Sequence, residues 1–163
     1  MQIITIFVVT YVINYGTLGA RRRAKNSNQP RIMGKKKRYS VHLRSTYAEL
    51  WRYNIYMLCG ESDANGESLQ VVPVESKVAS VGDNLREAPE GFDGPRELSV
   101  TLEAEQTVEV YVYVVPHSLP TNCEVEEVQP FKMRIKVTAD KEEIYNTVHR
   151  INQWAGDSIE LKF

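Results

Sequence analysis

The chain has 163 residues, enough for one domain with a hydrophobic core and a terminal extension, and tyrosine outnumbers phenylalanine nine to four. The net charge of −1 hides an asymmetry: half of the 20 Lys and Arg precede Ser45 and all 21 Asp and Glu follow it, which leaves residues 45–163 with a net charge of −11. Such an acidic body argues against nucleic-acid binding by the folded domain. The two cysteines do not form a CxxC pair, so they indicate neither a disulfide framework nor a cysteine-based zinc site.

The amino-terminal part is an apolar run without a charged residue, residues 3–20, which three consecutive arginines follow directly. Three interpretations stay open for residues 1–32: a membrane anchor, an over-extended translation start before Met33, or a cleaved secretory signal. An anchor would hold the body on the cytoplasmic side, since basic residues flank its carboxyl end. We expect membrane contact only if the apolar run is native, and a cytoplasmic protein if the chain starts at Met33. Residues 33–163 are predicted to form a single domain.

Alternation of apolar and polar residues predicts the first strands of this domain. Residues 39–43 alternate with period two, and residues 51–59 do so again, so that each predicts a strand, the second entered through one helical turn. The dipeptide Asn65-Gly66 is the strongest hairpin-turn signal in the chain. Residues 69–81 then predict a strand that Pro73 interrupts, as at a sheet edge or a bulge.

From Gly82 to Arg96 the alternation disappears, and three glycines and two prolines predict a long loop. Loops of this length often carry function, so we expect a partner surface here, with Glu90, Phe92 and Asp93 as candidate contacts. The alternative is a surface crossover between two sheets that has no binding role.

The segment from Glu97 to Pro116 is predicted to form the central β-hairpin of the domain. In its second strand, four valines alternate with polar and aromatic residues that include Tyr111 and Tyr113. A strand with apolar side chains on one face and large rings on the other is expected in the middle of a sheet, with packing against both faces.

Tyr111 and Tyr113 are also candidate contacts for a ligand or partner. Together with Tyr53 or Tyr56 on a neighbouring strand they would form an aromatic face, and tyrosine offers both an apolar ring and a hydroxyl group. The alternative is that these rings pack beneath a helix near the carboxyl terminus.

The last part of the domain is predicted to contain a strand, a helix and a final strand. Residues 131–137 and 158–163 alternate with period two, whereas residues 140–155 carry apolar residues at helical spacing behind an acidic amino-terminal cap. Seven or eight short strands with one carboxyl-terminal helix are typical of an antiparallel β-sandwich.

No recognised catalytic or cofactor motif occurs in the sequence. It contains no HExxH, nucleophile elbow, P-loop or GxGxxG motif, and the acidic loop residues lack the spacing of a calcium loop. We therefore expect no cofactor, no metal and no catalysis, and we predict a binding or assembly module that acts through protein contacts or self-association. The alternatives are a membrane-tethered accessory domain and a hydrolase with a site centred on His117, next to Ser118.

Overall fold

The structure is a computed structural model that describes residues 35–92 and 96–163. These residues form eight strands, and a short 3₁₀ turn, Leu50–Arg52, leads into the second of them. The strands are β1 (Lys37–Ser45), β2 (Tyr53–Ser62), β3 (Ser68–Ser76), β4 (Arg96–Ala104), β5 (Thr107–Pro116), β6 (Phe131–Ala139), β7 (Glu142–Ile151) and β8 (Asp157–Lys162). The predicted anchor segment and Asp93 lie outside the described residues.

The strands form two four-stranded antiparallel sheets, which confirms the prediction of a β-sandwich. Sheet A has the order β4-β1-β6-β7, and sheet B has the order β3-β2-β5-β8. β5 lies between β2 and β8, so the prediction that the valine-rich strand is central is also confirmed, but the expected packing against both of its faces is not, since no described helix or strand packs on the outer face. In the part of the chain that the structure describes, no helix is long and apolar enough to cross a membrane.

The core lies between the inner faces of the two sheets, because every second residue of a strand points to the same side. In β5 the inward residues are the four valines, and in β6 they include Met133 and Ile135, all of which are buried. Full burial of one such side chain stabilises the fold by about 1.5 to 3 kcal/mol. The core is thus built from the apolar positions of a period-two alternation that is visible in the sequence.

The predicted hairpin over residues 97–116 is wrong, although both of its strands are present. β4 pairs with β1 in sheet A, whereas β5 pairs with β2 and β8 in sheet B. The connection between them therefore crosses from one sheet to the other. A side chain of β2 holds this crossover, because Glu61 Oε1 accepts hydrogen bonds from the backbone N–H groups of Glu105 (2.8 Å) and Gln106 (2.9 Å).

The predicted helix over residues 140–155 is also wrong, because this range contains β7. Asp140 and Lys141 have positive φ angles of 48° and 74°, which is the backbone conformation of a two-residue type I′ hairpin turn. Ile144 and Val148, whose spacing suggested the apolar side of a helix, are exposed on β7. The described residues contain no α-helix that could cover the tyrosines of β5.

The predicted edge strand is confirmed, with different bounds. β3 is an edge strand of sheet B and continues through Pro73 to Ser76, while residues 77–81 lie in the loop that follows. Pro73 is tolerated because an edge strand leaves half of its N–H groups without a ladder partner. The described part of the predicted long loop, residues 82–92, contains no strand, as expected.

Candidate functional site

The outer face of sheet B carries an aromatic and aliphatic surface, which we call the aromatic face. Its members are Tyr56 and Leu58 of β2, Val71 and Pro73 of β3, and Tyr111 and Tyr113 of β5. Neighbouring strands place them side by side, with Tyr56 opposite Tyr113 and Leu58 opposite Tyr111. Tyr111 and Tyr113 thus lie beside Tyr56, one of the two candidates for a third ring, whereas Tyr53 points into the core.

β3 extends the aromatic face to the edge of the sheet. Pro73 lies opposite Leu58, and Val71 lies opposite Gly60, which has no side chain to separate Val71 from β5. Val71 is 46% exposed, and Leu69, at the register shift beside it, is 45% exposed. The sequence could have revealed these aliphatic residues, because they occupy the outward-facing positions in the alternating patterns of β2 and β3.

Glu109 closes the aromatic face at one end and orients Tyr111. Its carboxylate accepts hydrogen bonds from Lys162 Nζ (3.0 Å), Ser62 Oγ (3.1 Å) and the Tyr111 hydroxyl (3.2 Å). The hydrogen bond from Lys162 is the main reason that the pKa of Glu109 lies below its usual value. The carboxylate therefore stays charged and keeps the Tyr111 ring in place.

Tyr56 and Tyr113 keep neutral hydroxyl groups. Burial raises the pKa of both side chains above 10.0, and nearby carboxylates, Glu75 for Tyr56 and Glu160 for Tyr113, raise it further. A neutral phenol can donate and accept a hydrogen bond while its ring contacts apolar atoms. Chemically, the aromatic face can contact apolar side chains and hydrogen-bond to a peptide at the same time.

The loop after β3 covers the other end of this outer face. Buried Asn54 holds it there: Asn54 Oδ1 accepts from the Val78 N–H (2.8 Å) and Asn54 Nδ2 donates to the Ala79 carbonyl (2.8 Å). Further along this loop, Glu90 is exposed, whereas Phe92 is partly buried and packs on the core beneath the Arg96 guanidinium, 4.2 Å from its ring centre. The structure therefore brings together the two predicted tyrosines, and it places Glu90 and Phe92 elsewhere, on the approach to β4.

The His117-Ser118 pair, the basis of the hydrolase alternative, is a buried hydrogen-bonded unit. Ser118 Oγ lies 2.8 Å from His117 Nδ1, and His117 Nε2 lies 2.8 Å from the Trp51 carbonyl. Ser118 Oγ also accepts from the Leu85 N–H (2.7 Å). Both residues are at most 4% exposed. In this arrangement the pair fastens the loop after β3 to the end of β5, and neither side chain is open to a substrate.

An open cleft of about 430 Å³ lies at the end of the sandwich near the 3₁₀ turn and is lined by Tyr47, Glu49, Thr121, Asn122 and Gln153, among others. Arg52, which is buried beside it, is fully engaged with Glu49, Leu119 and Thr121. Sequence reasoning did not identify this cleft, because its lining comes from three separate loops. Among the described residues no group of three or more His, Cys, Asp or Glu is placed to hold a metal ion.

The comparisons with known proteins found no match. No protein-family model matches the chain, and no curated protein and no solved structure matches it. The fold and the surfaces of the molecule therefore carry the functional argument.

Proposed function

We propose that this protein is a non-catalytic β-sandwich module that binds a protein partner through the aromatic face of sheet B. The observation that carries the proposal is a continuous set of tyrosine and aliphatic side chains on a sheet face over which no described helix or strand packs. Exposed apolar surface costs free energy in water, and a contiguous patch of it on a monomer commonly marks a contact site.

The composition of the face supports a protein partner. Tyrosine is enriched in protein interfaces because its ring buries a large apolar area with only two rotatable bonds, while its hydroxyl stays hydrogen-bonded. Val71, Leu69 and Pro73 lie at the sheet edge beside the rings and would complete an apolar centre. Glu109 and Lys162 border it as a polar rim.

A capture experiment with matched variants tests this proposal. The full chain is immobilised, extract of the source organism is passed over it, and the retained proteins are identified and quantified by mass spectrometry. The test variant Leu69→Thr/Val71→Thr removes two half-exposed aliphatic residues at the face. The control variant Leu119→Thr/Val125→Thr removes two residues of similar exposure, 48% and 59%, in the loop after β5.

We expect one partner to be retained by the natural chain and by the control, and to be lost with the test variant and with Tyr111→Thr/Tyr113→Thr. Circular dichroism and thermal unfolding check that each variant is folded. Equal retention by all four chains, or no partner retained by the natural chain, would show that the aromatic face is not the binding surface.

A further inference from the structure

The outer face of sheet A carries a cluster of positive charge, although the domain as a whole is acidic. Four exposed cations lie there on the neighbouring strands β1, β6 and β7, and we call them the basic patch: Arg44, Lys132, Arg134 and Arg150. Residues 45–163 together have a net charge of −11. The patch therefore has the opposite sign to the domain that carries it.

The register of the strands sets these cations opposite each other in like-charged pairs. Arg44 of β1 is the partner of Arg134 of β6, and Lys132 of β6 is the partner of Arg150 of β7. Residues in such positions have Cβ atoms about 4.5 to 5.5 Å apart, and like charges there are destabilising. Because Lys132 and Arg134 share one face of β6, the two pairs are adjacent, and their repulsion reduces the stability of the isolated domain.

Carboxylates do little to neutralise the basic patch. Glu97 of β4 forms an ion pair with Arg44, with 3.1 Å between Glu97 Oε1 and Arg44 Nε. Within the described residues none of Lys132, Arg134 and Arg150 has a carboxylate within 4.0 Å. Proteins keep such locally unfavourable arrangements chiefly at functional sites. A negatively charged ligand would supply the counter-charge that the domain lacks here.

An apolar side chain lies within the basic patch. Val148 of β7 is directly opposite Arg134 and two residues from Arg150, on the same outward side of the sheet, and it is 41% exposed. Arginine and lysine side chains also offer alkyl stems beside their charged ends. The patch can therefore contact carboxylates and an apolar side chain at the same time.

We propose that the basic patch binds an acidic segment of a partner protein, in which glutamate or aspartate residues flank an apolar side chain. A carboxylate placed between the two cations of a pair contacts both of them, and an arginine can hold it through two parallel hydrogen bonds. The partner's carboxylates relieve the repulsion within each pair, and its apolar residue covers Val148. This contact is independent of the proposed function, because the aromatic face lies on the outer side of the other sheet.

Two observations favour an acidic protein segment over nucleic acid. The outward positions of the described strands of sheet A hold no tyrosine, phenylalanine or tryptophan on which a base could stack. The patch is also small, and the acidic domain around it would repel a long polyanion that extended past the patch. A short acidic segment can match the patch without this repulsion.

Fluorescence anisotropy with the full chain and labelled probes tests the proposal. The probes are a peptide of glutamates with a central leucine, the same peptide with serine in place of the leucine, and single-stranded DNA of equal charge. The test variant Lys132→Thr/Arg150→Thr removes two cations of the patch. The control variant Lys77→Thr/Arg86→Thr removes two exposed cations from the loop after β3, so that both variants have the same net charge.

We expect the natural chain and the control to bind the leucine peptide more tightly than either other probe, and to bind it more weakly as the salt concentration rises. The test variant should bind this peptide at least about tenfold more weakly, a loss of about 1.4 kcal/mol. Val148→Thr should remove the preference for leucine over serine. Leu69→Thr/Val71→Thr, on the aromatic face, should bind the peptide like the natural chain, which keeps the two proposed surfaces distinguishable.

Urea unfolding separates a binding role of the patch from a structural role. Because the test variant loses a like-charged pair, it should be at least as stable as the natural chain at low salt. A test variant that unfolds at a lower urea concentration would show that Lys132 and Arg150 support the fold, and would contradict the argument from repulsion.

Three binding results would overturn the proposal. They are no measurable binding of either peptide by the natural chain, equal binding of the leucine peptide by the test and control variants, and tighter binding of the DNA than of the leucine peptide, which would assign the patch to nucleic acid. Self-association of the natural chain that the test variant loses, measured by sedimentation velocity, would assign the patch to a second copy of this chain instead.

Discussion

His117 Nδ1 and the hydroxyl of Ser118 lie 2.8 Å apart in the interior of the protein. The second ring nitrogen of His117 faces the Trp51 carbonyl, so that a neutral imidazole with its proton on Nε2 satisfies both contacts. Burial lowers the pKa of His117 below 6.5, against a smaller opposing effect of the Trp51 carbonyl. The folded protein therefore prefers the neutral ring.

The first prediction concerns pH. Because the unfolded chain takes up a proton at about pH 6.5 and folded His117 does so only at lower pH, stability should fall as the pH decreases through this range. The slope contributed by one such group is at most about 1.4 kcal/mol per pH unit. His149, whose pKa is also lowered by burial, should add to the slope.

Urea unfolding at a series of pH values measures this slope. His117→Asn should lower the stability at neutral pH and flatten the dependence between about pH 7 and 5, and His149→Asn should flatten it further in the double variant. A His117→Asn chain that keeps the full natural slope would contradict the assignment of His117 as a buried neutral group.

The second prediction concerns the two cysteines, which are free in the structure. Cys59 is fully buried in β2 and Cys123 is exposed in the loop after β5. Burial raises the pKa of the Cys59 thiol to about 12, and the thiolate is the reactive form. Under native conditions at mildly alkaline pH a thiol reagent should modify one cysteine, Cys123, and in denaturant it should modify both. Rapid native modification of Cys59, located by peptide mass, would contradict its burial.

The third prediction concerns Arg52, which ties the 3₁₀ turn to the loop after β5. Its guanidinium donates to Glu49 Oε2 (2.6 Å), to Thr121 Oγ1 (2.7 Å) and to the Leu119 carbonyl, and it lies 4.3 Å from the centre of the Trp51 ring. A lysine ammonium cannot reproduce this planar fork. Arg52→Lys should lower the free energy of unfolding by about 1.5 to 3 kcal/mol.

A matched control uses the exposed Arg86, whose replacement by lysine should change the stability by less than about 0.5 kcal/mol. Chemical unfolding of both variants measures the difference. Equal stability of Arg52→Lys and the natural protein would mean that the hydrogen bonds of Arg52 contribute nothing to the fold.

The fourth prediction concerns Gly156, in the turn between β7 and β8. Its φ angle is 70°, and a Cβ atom at this position would lie 1.9 Å from the Val114 carbonyl oxygen. Gly156→Ala must therefore displace the turn from β5, and should destabilise the fold by roughly 3 kcal/mol. Gly66→Ala is the control, since Gly66 also has positive φ (77°) but has open space around it. Comparable melting temperatures for the two variants would show that the close approach to Val114 is not maintained in solution.

The structure also explains which sequence-based predictions failed. The prediction of a helix over residues 140–155 was wrong although Ile144, Val148 and Ile151 have helical spacing, because they share no common apolar face in the structure and only Ile151 is buried. The deciding local element, the type I′ turn at Asp140-Lys141, looks in the sequence like a helix cap. Its two positive φ angles become favourable only when β7 pairs back onto β6.

The candidate surface was predictable in part. Tyr111 and Tyr113 were identified from the two-faced pattern of β5, but the pattern cannot distinguish Tyr53 from Tyr56 as the third ring until the phase of β2 is known. The phase depends on where the 3₁₀ turn ends and β2 begins. Within residues 35–92 and 96–163 no helix packs over the face, because the segment predicted to form that helix is β7.

Period-two alternation predicted seven of the eight strands, all but β7, and this was enough to indicate the β-sandwich, because each alternating segment must hide its apolar side. Strand partners were decided only by the tertiary structure. β4 and β5 are adjacent in the chain, and both alternate between apolar and polar residues, so the local pattern favours a hairpin between them. They nevertheless lie in different sheets, and Glu61 of β2 accepts the hydrogen bonds that hold the crossover between them. Pairing between distant strands depends on contacts that alternation does not encode.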